Sequence, residues 1–229
     1  MVLAGLKRQA GDTFESFEQN MQIATTLARA IEKARPKQVI FFSSAAVYGE
    51  ETHDLAISEL TPVNPVSCYG IAKFASERVI SIAAENVGSY LAVLRPPVIY
   101  GPGDSTNSYG PVAFCRAARR GDPVTLWGDG SELREFVFVE DCARMVGDLL
   151  DFEWLGVLNM ASGNSHTFRD VVAAVGCSSG RVLEVGEKPR TKMKADNVFD
   201  PSLLNSLLPN FSWTSLQDGV QLTLNKPEA

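Results

Sequence analysis

"QVIFFSSAAVYG", residues 38 to 49, begins with an unbroken run of β-branched and aromatic side chains and ends in small, hydroxyl-bearing and glycine residues. A strand with one face in water alternates polar and apolar residues, whereas an uninterrupted apolar run reads as buried on both faces, as in a parallel sheet. Upstream, Phe17, Met21, Ala24, Leu27, Ala28 and Ile31 fall at helical spacing within residues 14 to 34, which predicts a helix feeding that strand. Downstream, a polar, proline-bearing loop over 50–65 leads to a second amphipathic helix whose inward stripe is Ala72, Ala75, Val79 and Ala83. "SYLAVLRPPVIYGPG" (89–103) is another buried strand, broken at Pro96 and Pro97 because proline cannot donate to a central ladder.

Strand and helix thus alternate through about residue 100, the pattern of a doubly wound α/β sheet. Beyond 104 the rhythm loosens. A helix over 111–120 precedes a Gly-Asp-Gly turn (128–130), an apolar strand, and a helix started near Glu140 and Asp141. "GVLNMASG" (156–163) reads as a short strand, and "TFRDVVAAVG" (167–176) as a helix with Thr167 at its N-cap. The expected division is a sheet domain over 1–103 and, over 104–229, mainly a smaller lobe at the sheet's carboxyl end, with one further sheet strand near 156–162.

The totals narrow the function. The chain has 229 residues, 45% of them hydrophobic, a formal charge of −6 and a pI near 5.0, ample for a core and unsuited to nucleic acid or an anionic membrane surface. No apolar run approaches the length of a membrane span or a signal peptide, so a cytoplasmic protein is expected. Cys68, Cys115, Cys142 and Cys177 have no C-x-x-C spacing, and His53 and His166 are far apart. Neither a metal site nor a disulfide framework is expected.

Chemistry enters with "SCYGIAKFASERVI" (67–80), which sets Tyr69 and Lys73 four apart on one helical face. A phenol with a pKa near 10 is a poor base at neutral pH, and an adjacent ammonium stabilises the phenolate. Ser44, 25 residues before Tyr69, ends a buried strand, and ligands of open parallel sheets bind beyond the strands' carboxyl ends. A hydroxyl there would hold a substrate oxygen while Tyr69 takes its proton. The accompanying hydride needs an acceptor that no side chain can be, which implies a nicotinamide cofactor.

On these residues the chain resembles an extended short-chain dehydrogenase/reductase of the NAD-dependent nucleotide-sugar epimerase/dehydratase family, with members like UDP-glucose 4-epimerase. "SSAAVYG" (43–49) is similar to the catalytic-serine segment and "YGIAK" (69–73) to the Tyr/Lys motif. "AGLK" (4–7) resembles the loop after the fourth strand that passes the cofactor, and Asn20 the helix-start asparagine. "LRPPVIYGPGD" (94–104) resembles the segment that lines the nicotinamide, and "GDGSELREFVFVEDCAR" (128–144) the nucleotide-binding lobe.

The resemblance implies an N-terminally truncated Rossmann-type doubly wound parallel sheet with a smaller C-terminal substrate-binding lobe. It implies Ser44, Tyr69 and Lys73 as the catalytic set, and Ala4, Gly5, Lys7, Tyr69, Lys73 and Pro96 against NAD, with NADP left open. Ser44, Val98, Arg134 and Arg190 would meet a nucleotide-sugar substrate, the two arginines clamping its diphosphate as guanidinium groups do well. For either arginine alone, a surface ion pair with a neighbouring Glu or Asp is the competing reading. A homodimer through the Tyr-bearing helix and its predecessor is also implied.

Three departures qualify the likeness. Where the 4,6-dehydratase branch carries an acid pair after the catalytic hydroxyl, this chain has Ala45 and Ala46, which disfavours dehydration and leaves epimerisation or one-way reduction. Val98 stands where the family usually has asparagine. The strand, G-x-x-G-x-x-G turn and helix that bind the NAD pyrophosphate do not occur in the sequence. "VIFF" is accordingly expected near a sheet edge beside only a stub of strand at residues 2 to 4. The alternative function is a non-catalytic, truncated homologue that keeps a sugar-nucleotide-binding lobe.

Overall fold

The computed structural model describes residues 11–49, 55–104, 109–190 and 193–226. Helix α1 (Phe14–Ala34) starts from a capping box, in which the Thr13 side chain accepts from the Ser16 amide while Ser16 returns to the Thr13 amide, and stops at Arg35 in a left-handed conformation, φ 48°. Strand β1 (Gln38–Phe42) leads through Ser43 and Ser44 into a single 3₁₀ turn, Ala45–Tyr48. Helix α2 (Cys68–Val87), capped by Ser67, carries the chain back to β2 (Tyr90–Arg95).

After Pro96 and Pro97 the chain leaves that sheet, and β3 (Val98–Tyr100) belongs to another. Helix α3 (Pro111–Arg120), β4 (Val124–Trp127), β5 (Leu133–Phe138) and α4 (Val139–Leu150) follow. Then come β6 (Gly156–Asn159), β7 (Ser165–Thr167), α5 (Phe168–Ser179), β8 (Val185–Lys188), α6 (Ser202–Leu207) and α7 (Leu216–Asn225). The principal sheet has the order β1-β2-β6 and is parallel throughout, with Phe42 opposite Leu94 and Arg95 opposite Asn159.

The unbroken apolar run of β1 has a direct cause in the layers. Val39 and Phe41 pack with Leu91 and Val93 against Ile31 of α1 and Ile80, Ala83 and Ala84 of α2. Ile40, between them, points with Ala92, Leu94 and Leu158 into the opposite layer, against Cys142, Met145, Val146 and Leu149 of α4 and Leu204 of α6. Residues of period two therefore feed two different cores, and neither face is free to be polar. Each fully buried aliphatic side chain here contributes about 1.5–3 kcal/mol. The second half of the chain thus supplies the sheet's far face with α4 and α6 as well as the strand β6.

The smaller lobe gathers α3, α5 and α7 around Phe114, Leu126, Phe138, Phe168, Val171 and Val220. Its strands form β3-β5-β7, parallel then antiparallel, and a parallel pair β4-β8. Among the described residues β1 pairs with β2 alone; the strand stub expected at residues 2 to 4 lies outside them. No described helix is long and apolar enough to cross a membrane. The four cysteines are free thiols, Cys115 and Cys142 buried in the cores.

Candidate active site

Ser44, Tyr69 and Lys73 meet at the carboxyl end of β1. Ser44 lies in extended backbone just past the strand, where its hydroxyl caps the 3₁₀ turn by accepting from the Ala46 amide at 3.2 Å and also shares a hydrogen bond with the Tyr69 phenol. The Ala45 amide donates to the carbonyl of buried Pro96 at 2.9 Å, which seats the Ser44 turn on the end of β2. Tyr69 is in the first turn of α2, its amide held by the Asp12 carboxylate at 3.0 Å. Gly70 lets this helix end come close: a Cβ there would lie 2.7 Å from the Ala46 carbonyl oxygen and 3.1 Å from Pro65.

Lys73, one turn along, donates from Nζ to the Phe42 carbonyl at 2.9 Å, with its ammonium 5.5 Å from the Phe41 ring centroid and 5.9 Å from that of Tyr69. Burial strips water from this ammonium and brings its pKa down to about 8, against the upward pull of Glu77. The phenol behaves differently from the expectation. Burial holds Tyr69 above its ordinary value, and the hydrogen bond with Ser44 is the influence that lowers it. The Lys73 hydrogen bond is made to the Phe42 carbonyl on the strand.

Beneath these groups lies a polar cluster that sequence reading did not find. Arg95, at the end of β2, makes a two-pronged ion pair with Glu77 of α2 (2.9 and 2.6 Å), and both residues are 4% exposed. Ser43 donates to the same carboxylate at 2.5 Å. Arg95 also donates to the Tyr48 hydroxyl at 3.1 Å, and Tyr48 donates to Asn159 at 2.8 Å. Two signals were present: Glu77 continues the i, i+4 series of Tyr69 and Lys73, and Arg95 is a charge inside an apolar strand.

The substrate-side expectations fall in the other lobe. Arg134, on β5, donates to the carbonyls of Leu133 (2.8 Å) and Ala195, and its guanidinium is 3.6 Å from Glu132. Arg190 pairs with Asp129 at 2.7 Å and reaches Glu132 at 3.7 Å. The two arginines therefore converge on one carboxylate, and each also has the acidic neighbour of the competing reading. Gly128, φ 59°, is where Arg190 crosses the turn: an added Cβ would fall 2.1 Å from its Nε. Tyr109, accepting from the Trp127 amide at 3.1 Å, joins this cluster. Val98, 36% exposed, starts β3 opposite Phe136, two positions beyond Arg134 on β5. Ala4, Gly5 and Lys7 lie outside the described residues.

The comparisons agree with this architecture. The model of the NAD dependent epimerase/dehydratase family matches residues 2–153. An uncharacterized UDP-glucose epimerase of Bacillus subtilis is 26% identical over 226 residues, 96% of this chain and 70% of that protein. GDP-mannose 3,5-epimerase 1 of Oryza sativa is 26% identical over 213 residues, 89% of this chain and 56% of its own length. Among solved structures, UDP-glucose 4-epimerase of Thermus thermophilus in complex with NAD superposes with a TM-score of 0.84 at 29% identity, covering 98% of this chain and 75% of that one. The Thermotoga maritima UDP-glucose 4-epimerase with UDP-glucose gives 0.85 at 26% identity, covering 97% and 74%. Well over half of the sequence lies within the matched segment, and the parallel sheet with its appended lobe is shared with both epimerase structures, so the chain belongs to the NAD dependent epimerase/dehydratase family.

Proposed function

We propose that this chain carries the proton-transfer and substrate-holding groups of an NAD-dependent epimerase, or of a one-way reductase, acting on a nucleotide-activated sugar. The observation that carries the reading is the meeting of Ser44, Tyr69 and Lys73 at the carboxyl end of a parallel sheet, the position where such sheets take ligands. The NAD and UDP-glucose named in the neighbouring structures set the expected ligand class.

The groups present suit the nicotinamide-ribose half of NAD. An ammonium has three donors; the acceptor of Lys73 among the described residues is the Phe42 carbonyl, so a ribose diol is a fitting further partner. Buried Pro96 lies beside Ser44. When bound, NAD supplies a reversible hydride acceptor. The protein's own part is acid/base. Ser44 orients the substrate hydroxyl, and Tyr69, in its tyrosinate form, accepts the proton. Lys73, hydrogen-bonded to β1 and 5.9 Å from the centre of the Tyr69 ring, would hold the ribose diol and place its positive charge beside the phenol. In the lobe, Arg134 and Arg190 exchange their long contacts with Glu132 for the diphosphate, a stronger bidentate acceptor. A homodimer through α1 and α2 belongs to the same reading.

A second reading rests on the lobe alone, where Arg134 and Arg190 converge on Glu132. On that reading the chain binds a sugar nucleotide without NAD and does not turn it over. Calorimetric titration with NAD and with UDP-glucose, followed by NMR detection of sugar epimerisation, separates the two. The enzyme reading expects NAD binding, turnover, and a loss of about 10²–10⁴-fold in Tyr69→Phe with binding retained. UDP-glucose binding without NAD binding would establish the second.

A further inference from the structure

Three consecutive residues at the exit of β1 are gripped by three side chains spaced four apart on α2. Lys73 holds the Phe42 carbonyl at 2.9 Å, Glu77 accepts from Ser43 at 2.5 Å, and Tyr69 shares its hydrogen bond with Ser44. Glu77 is tied in turn to Arg95, and through Arg95 and Tyr48 to Asn159. The Asn159 amide donates to Glu59 at 2.7 Å. The cluster thus links the carboxyl ends of β1, β2 and β6. Its members Ser43, Tyr48, Glu77, Arg95 and Asn159 are all 4% exposed or less. A buried ion pair is a poor route to stability alone, since apolar side chains of similar volume often serve as well or better. Its position, directly under the reacting groups, suggests another use.

We propose that Glu77 and Arg95 are positioning residues for Lys73 and Tyr69: Glu77 fixes the strand end that presents Ser44 and faces Lys73 one helical turn away, and Arg95 holds Glu77 in place. The proposal rests on the functional assignment above. Lys73 faces Tyr69 and Glu77 from its own helix and the Phe41 ring and Phe42 carbonyl from β1. Arg95 approaches from β2 by way of Glu77, Tyr48 and Glu59 lie further along the network, and Asp12 sits at the Tyr69 amide. Among these, Glu77 is the charge that opposes the desolvation of the ammonium. Neighbours at i, i+4 on a helix face one another across about 5–6 Å.

The test reads Lys73 directly. Protein labelled with ¹³C at the lysine ε-carbons is titrated by NMR, the Lys73 signal being assigned by its loss in Lys73→Met. Glu77→Gln should move the Lys73 midpoint down by about one pH unit. Glu77→Gln with Arg95→Met, which leaves no lone buried charge, should move it down as well and provides a folded variant if the single change unfolds. Glu77→Asp, restoring the charge on a shorter arm, should bring the midpoint back toward the wild-type value. A midpoint unmoved in the double variant, or one that Glu77→Asp fails to restore, overturns the proposal and leaves the cluster a purely structural one. No substrate or cofactor is present in this measurement, so a chain that turns over nothing would refute the proposed function without touching this result.

Discussion

Replacing Lys73 by Met should change how the stability of this chain depends on pH, and the structure sets both sign and size. The folded-state pKa of Lys73 is brought from the ordinary 10.5 to about 8 by burial, with Glu77 opposing. Between those two values the unfolded chain holds a proton that the folded chain has released, so stability rises with pH across that window. Below about pH 8 the full cost of burying the ammonium is present; above about pH 10.5 it is gone. The interval of about 2.5, at about 1.4 kcal/mol per pH unit, gives about 3 kcal/mol. Met keeps the length and removes the charge. It also loses the hydrogen bond to Phe42, worth about 0.5–1.5 kcal/mol for the neutral amine, while the extra strength of that bond in the ammonium form is already contained in the folded-state pKa. Urea unfolding of both proteins at intervals from about pH 7 to about pH 11 supplies the difference. Other lysines, tyrosines and cysteines titrate in both proteins and cancel. The wild type should gain about 3 kcal/mol relative to the variant over the range. Parallel curves would show that the ammonium is not desolvated and that the α2 face is more open than described.

Other expectations concern packing and charge. Gly70→Ala, although favourable to a helix, places a Cβ 2.7 Å from the Ala46 carbonyl oxygen and should lower the urea midpoint by about 1–3 kcal/mol of stability; a stabilised variant would mean α2 can withdraw from the Ser44 turn. Arg95→Leu leaves Glu77 buried without its ion-pair partner and should cost about 3–5 kcal/mol, roughly 10 °C in Tm, with most of it regained in the double change Glu77→Leu and Arg95→Leu. Additive losses in calorimetry would contradict that account. Arg190→Ala should weaken UDP binding about 10-fold or more while leaving the Lys73 titration in place, and a calorimetric change below about twofold would return Arg190 to its ion pair with Asp129.

How far the sequence reached is visible element by element. Local rules sufficed where the signal is local: residues 14–34 form α1, residues 111–120 form α3, and Thr167 caps α5 with Asp170 reciprocating. The uninterrupted QVIFF stretch implied two buried faces, and the two prolines after Arg95 marked where the chain leaves the sheet. Spacing alone put Tyr69 and Lys73 on one side of α2. Only the tertiary structure decided what that side meets. It turned the Lys73 ammonium to the Phe42 carbonyl, and matched Glu77 of α2 to an arginine 18 residues away on β2. It also brought Arg134 and Arg190 to a common carboxylate, and gave α4 to the sheet instead of the lobe. The division has a physical reason: periodicity, caps and chain breaks follow from covalent neighbours. Desolvation and charge pairing depend on which distant groups share a volume, and that is determined only when the layers close.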